Sequence, residues 1–91
     1  MKAYLHKDAE KYLNRLNAKD YNRINEAIEK LEKEPPEGDI EPLQGQVGFR
    51  SRVGGFRLLW RIQGNNILIT HIDPRGQAYK KKNKGNKRWQ L

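Results

Sequence analysis

Apolar residues in the first third of the chain recur at helical spacing. Ala9, Tyr12, Leu13 and Leu16 share one stripe of a helix, and Tyr21, Ile24, Ile28 and Leu31 share one stripe of a second. Asn17, between them, is placed to cap the second helix, with Asp20 in its first turn, where a carboxylate suits the macrodipole. Glu26, Glu29, Glu32 and Glu34 interleave with Lys30 and Lys33, the pattern of a solvated face with i, i+4 pairs. Pro35-Pro36 stops the helix. Each helix of this hairpin has one apolar stripe, so both must pack on something else. Residues 1–5 read as a short strand or extended start.

Past a turn-rich connector over 35–46, the period changes to two. Val47, Phe49, Ser51 and Val53 point one way, and Arg50 and Arg52 the other. Gly54-Gly55 signals a tight hairpin. On the next strand Phe56, Leu58, Trp60 and Ile62 share a face, opposite Arg57, Leu59 and Arg61. Gly64-Asn65-Asn66 marks a second turn, before the apolar run Ile67 to Ile72. The expected fold class is α+β: an N-terminal helical hairpin packed on a small antiparallel sheet, a meander of three strands, in two layers. We expect a single domain over 1–79. A basic tail over 80–91 is too polar to pack well, and either moves freely or orders on a partner.

Composition sharpens this picture. The 91 residues suffice for one domain with one modest core. There is no cysteine, which excludes disulfides and thiol chemistry and fits a cytoplasmic protein. No apolar run reaches the roughly 18 residues that span a bilayer, so no membrane partner is expected. The net charge of +8 is unevenly distributed. Residues 1–42 carry eight Lys/Arg and ten Asp/Glu, whereas 43–91 carry eleven Lys/Arg and one acid, Asp73. A basic half of that kind is the footprint of a polyanion-binding surface.

The chemistry concentrates on the hairpin. Arg50 and Arg52 alternate onto one sheet face, and Arg57 stands on the next strand, about 5 Å across. Arg61 shares the face further along, and Arg75 follows the last strand. Grouped guanidiniums repel one another without an anion, and their geometry suits bidentate phosphate contact. Each arginine pairing with an acid of the helical half is the competing possibility. Two His, no Cys and one acid in the basic half give no expected metal site or cofactor.

The segment Gly48-Phe49-Arg50-Ser51-Arg52-Val53-Gly54-Gly55-Phe56-Arg57-Leu58-Leu59-Trp60-Arg61-Ile62 resembles the central hairpin of the RelE/ParE toxin superfamily. The helix pair, Leu43-Gln44-Gly45 and the ending Ile72-Asp73-Pro74-Arg75 … Tyr79 resemble it too, over roughly residues 1–80. The resemblance implies the RelE-like microbial RNase fold. It also implies the toxin of a type II toxin-antitoxin system, a metal-independent endoribonuclease that cuts mRNA in the ribosomal A site. There the ribose 2′-oxygen attacks the adjacent phosphate and the 5′-oxygen leaves. The implied partners are the ribosome, mRNA and a cognate antitoxin protein. Arg50 and Arg52 match the family's paired basic positions, where it often has Lys. Arg57 matches the arginine that stabilises the transition-state charge, Arg75 the arginine after the last strand, and Tyr79 the C-terminal tyrosine, here at a short interval. Other members of the superfamily, ParE-like, inhibit DNA gyrase by binding, and a non-catalytic RNA-binding module is a third possibility. Lys80, Lys81, Lys82, Lys84, Lys87 and Arg88 are expected to grip RNA phosphates, as is Arg61.

Arginine is effectively never deprotonated, so the proton acceptor must be another group. Candidates are Tyr79, His71 in the last strand, and Lys80 to Lys82. Asp73 is expected to pair with an arginine or cap the turn, and His6 is given no role.

Overall fold

The computed structural model describes residues 1–74, so Arg75, Tyr79, Lys80, Lys81, Lys82, Lys84, Lys87 and Arg88, and the domain boundary at 79, lie outside the described residues. The chain runs through β1 (Lys2–Leu5), α1 (Lys7–Asn14), α2 (Ala18–Leu31), β2 (Asp39–Pro42), β3 (Phe49–Val53), β4 (Phe56–Gln63) and β5 (Asn66–Pro74). Two helices cover one face of a five-stranded mixed sheet, and the α+β class holds.

The helices form where the apolar stripes place them. Asn17 Oδ1 accepts from the Asp20 backbone N–H at 2.8 Å, the expected cap. Ala9, Leu13, Ile24, Ile28 and Leu31 are buried against Leu58, Trp60, Ile67, Ile69 and Ile72 of the sheet. The one buried polar side chain among the described residues, Ser51, accepts a 2.8 Å hydrogen bond from the Trp60 indole N–H. Trp60 also stacks on Phe49, with ring centroids 4.6 Å apart. Tyr12 meets the edge of Phe56 at 6.5 Å.

The sheet is larger than the expected meander. Its order is β1-β5-β4-β3-β2, with β1 parallel to β5 and every other pair antiparallel. Residues 39–42, read as part of a connector, form an edge strand. Their four residues are too few to show an alternation, and Pro42 blunts the outer edge. The opposite edge is closed differently. The Ala3 backbone N–H donates to Glu32 Oε2 at 2.7 Å, and the Met1 ammonium to the Glu32 carbonyl at 3.1 Å. Two inward assignments fail at the sheet's far end. Val47 precedes the strand and is exposed, and Ile62 is exposed because β4 outruns the helices.

Candidate phosphate-binding face

With the helices on one side, no element among the described residues covers the other side of the sheet. The pairing register lays out its side chains as rows. The first row is Asp39–Arg52–Arg57–Asp73, across β2, β3, β4 and β5. The second is Glu41–Arg50–Leu59–His71. A third passes from Arg61 through Leu68 to Tyr4 on β1. Side chains in directly opposite positions lie about 5 Å apart at Cβ. Arg50, Arg52 and Arg57 therefore share one face, with Arg61 further along β4.

Two acids of this face come from an unexpected place. Asp39 and Glu41, counted with the acidic half of the chain, are carried by β2 onto the basic sheet. Arg50 is ion-paired with Glu41, and its side chain is only 23% exposed. Two like charges directly opposite each other, Arg52 and Arg57, are unfavourable alone. Asp39 and Asp73 flank them in the same row and offset part of that repulsion. The Nε atoms of Arg50 and Arg57 are buried with no hydrogen-bond partner among the described residues. An anion approaching these arginines from the face would meet their terminal nitrogens, not the buried Nε atoms.

A β-bulge decides where His71 points. Along β5, Ile67 and Ile69 face the core, and simple alternation would put His71 there too. The register instead shifts by one residue opposite Leu59/Trp60, leaving Thr70 as the extra residue. Ile72 then takes the core position, 3% exposed, and His71 and Asp73 turn to the arginine face. The signal was in the sequence, since isoleucines at 67, 69 and 72 do not keep a period of two.

Thr70 also sets the chemistry of the imidazole. Its hydroxyl donates to the Leu59 carbonyl at 3.2 Å, and His71 Nδ1 lies 3.0 Å from the same oxygen. A hydroxyl has one hydrogen, so when it goes to the Leu59 carbonyl the threonine oxygen accepts from Nδ1–H, and the neutral ring of that tautomer has its lone pair on Nε2.

Tyr12, on the helical side of the sheet beside Phe56, is disfavoured as a base. Burial, then the carboxylates of Asp73 and Asp20, push the Tyr12 phenol above its ordinary value, which disfavours a phenolate there. A groove of about 290 Å³ runs between α2 and the β2–β3 edge. It is lined by Arg23, Lys30 and Arg52 against Glu26, Glu37 and Asp39. No group of three or more His, Cys, Asp or Glu able to hold a metal ion lies among the described residues. Nor is any helix among them long and apolar enough to cross a membrane.

The chain is similar in sequence and fold to known proteins. The sequence model described as "ParE toxin of type II toxin-antitoxin system, parDE" matches residues 3–79. The chain is similar to the archaeal RelE–RelB complex from Pyrococcus horikoshii, with 30% identity, a TM-score of 0.71, and coverage of 85% of this chain and 97% of that one. It has the same fold as the toxin-antitoxin complex RelBE2 from Mycobacterium tuberculosis (23% identity, TM-score 0.69, 81% and 96% covered). The isolated RelE toxin of E. coli shares the fold too (13% identity, TM-score 0.69, 91% and 95% covered). No curated protein sequence matches.

Proposed function

The chain belongs to the RelE/ParE superfamily and is the toxin of a type II toxin-antitoxin system; from that premise we propose that it is an RNA-cleaving member, a metal-independent, ribosome-dependent endoribonuclease. The observation that carries this reading is the bulge at Thr70, which sets an imidazole on the arginine face, diagonal to Arg57. His71 is the diagonal neighbour of Arg57 and Arg57 the direct neighbour of Arg52.

In this reading the scissile phosphate of mRNA sits over Arg52 and Arg57, the directly opposed pair of the face. His71 Nε2 takes the proton of the ribose 2′-hydroxyl. The freed oxygen attacks the adjacent phosphorus, and the 5′-oxygen leaves with a proton from water or from the imidazolium. A pentacoordinate phosphate carries added negative charge, which the two preorganised guanidiniums stabilise. Loss of one such donor costs about 10²–10³ in rate. Arg50, held by Glu41, acts as a secondary contact that shapes the field around the site. Arg75 and Tyr79, outside the described residues, are counted with the site on the family resemblance alone. Arg61 and the basic residues at 80–88 supply affinity for RNA, and the setting is the cytoplasm, where ribosomes are.

One observation favours a second reading. The family model that matches is that of the ParE toxin, and ParE-like members inhibit gyrase without cleaving RNA. Such members generally lack the full arginine set, which this chain retains at Arg50, Arg52, Arg57 and Arg75. Primer extension on mRNA after brief expression separates the two. Cuts phased with codons, lost in Arg57→Ala, support the nuclease. Intact mRNA with induction of the DNA-damage response contradicts it and supports gyrase inhibition.

A further inference from the structure

The third row of the open face has no part in the chemistry above. Tyr4 lies opposite Leu68 on β5, and Leu68 opposite Arg61 on β4. Tyr4 is 53% exposed although it sits in a strand rather than a loop, and Lys2 shares its face. Ala3 and Leu5, its strand neighbours, pack on the core, so the phenol ring stands on the arginine side of the sheet.

We infer that Tyr4, with Leu68 as a floor and Arg61 and Lys2 at its flanks, is a nucleobase-stacking subsite for single-stranded RNA running across the open face. The inference rests on the nuclease reading and adds to it the place where the strand is held away from the reacting phosphate. The Arg57 and Arg61 positions are four residues apart on one strand, and β1 lies two strand spacings from β4. Tyr4 is therefore about 16 Å from Arg57, a reach of a few nucleotides. Single-strand binding surfaces combine cations that follow the backbone with aromatic rings on which bases stack, and every base has a π-face to offer. Arg61 adds a planar cation that can stack or pair with a phosphate.

A protein partner fits this row less well. The apolar area is one ring with the half-buried Leu68 and Leu59, between cations, whereas the centre of a protein interface is depleted of charge. Strand addition beside Tyr4 is also opposed, because Glu32 already occupies the outward N–H of Ala3.

The test is binding of a fluorescein-labelled, uncleavable 2′-O-methyl RNA hexamer, intact or with a single abasic residue at each position in turn, read by fluorescence anisotropy. Wild type should bind the intact oligomer about tenfold more tightly than at least one abasic form. Tyr4→Ala should lose that preference while keeping the circular-dichroism spectrum and thermal transition of the wild type, and Tyr4→Trp should retain it. The subsite is overturned by a wild type without any base preference, or by a Tyr4→Ala that keeps the preference. It is also overturned if Tyr4→Ala weakens intact and abasic oligomers equally, or weakens only the complex with the antitoxin. The nuclease reading fails separately, on codon-phased cleavage that is absent or indifferent to Arg57→Ala. Either result can occur without the other.

Discussion

Replacing Gly48 with alanine should destabilise the fold by about 3–4 kcal/mol, and the cost divides into two parts. Gly48 has φ of +129°, a backbone region that L side chains rarely adopt. Holding alanine there costs about 1–3 kcal/mol. A Cβ at that position would also lie 2.9 Å from the Trp60 carbonyl oxygen and 3.2 Å from Leu43 Cδ1. The leucine tip can move, but the carbonyl is sheet backbone. Relief therefore means separating β3 from β4 where Phe49 stacks on Trp60 and where the Gly48 carbonyl accepts from Leu43 N–H at 3.0 Å. Gly64 is the internal control. Its φ is +65°, and a Cβ there meets nothing within 4 Å, so Gly64→Ala carries the backbone term alone, about 1–2 kcal/mol. The assay is urea denaturation followed by circular dichroism, with thermal scans in parallel. For a chain of this length, the difference between the two variants, about 2 kcal/mol, corresponds to roughly 8–16 °C in Tm. Equal losses in Gly48→Ala and Gly64→Ala would refute the claim that close approach to Trp60 is what requires glycine at 48.

Two further outcomes follow from the charges around the site. Glu41→Gln should free Arg50 to contact phosphate, raising RNA affinity and steepening its salt dependence by about 0.7 log units; an unchanged slope in anisotropy titrations over a salt series would contradict this. The Tyr12 phenol has its pKa raised by burial and by Asp73 and Asp20, so the folded state holds that proton more tightly than the unfolded chain does. The stability this provides is complete below the unfolded value near 10 and is lost as pH rises through the folded one, so denaturation midpoints should fall above about pH 10 in wild type and fall less in Tyr12→Phe.

The helical half was legible because each helix announces itself by a stripe and a cap. Ala9, Leu13, Ile24, Ile28 and Leu31 all fall in the core, and Asn17 caps as its side chain allows. The shared face of Arg50, Arg52 and Arg57 followed from alternation across a two-residue turn, a local relation that needs no knowledge of the remaining fold. What escaped was non-local. Nothing in Lys2–Leu5 tells that it pairs in parallel with a strand some sixty residues later. Asp39–Pro42 has no pattern of its own and becomes a strand only because β3 offers it an edge. That single omission hid the two carboxylates, Asp39 and Glu41, that temper the arginine surface. The face on which His71 lies was not legible for a different reason: counting by twos along β5 passes over the extra residue at Thr70. Only the core's need for Ile72, three residues after Ile69, shows the slip.

Single-turnover cleavage of ribosome-bound mRNA, measured against pH, decides whether the bulge delivers an imidazole base to the arginine face. Wild type should speed up with rising pH across the range where imidazoles lose their proton, roughly pH 5–8. His71→Gln should be slower by about 10²–10⁴ and lose that dependence, with its circular-dichroism spectrum that of the folded wild type because the side chain lies outside the core. Wild-type rates and an unchanged pH profile in His71→Gln would contradict the account.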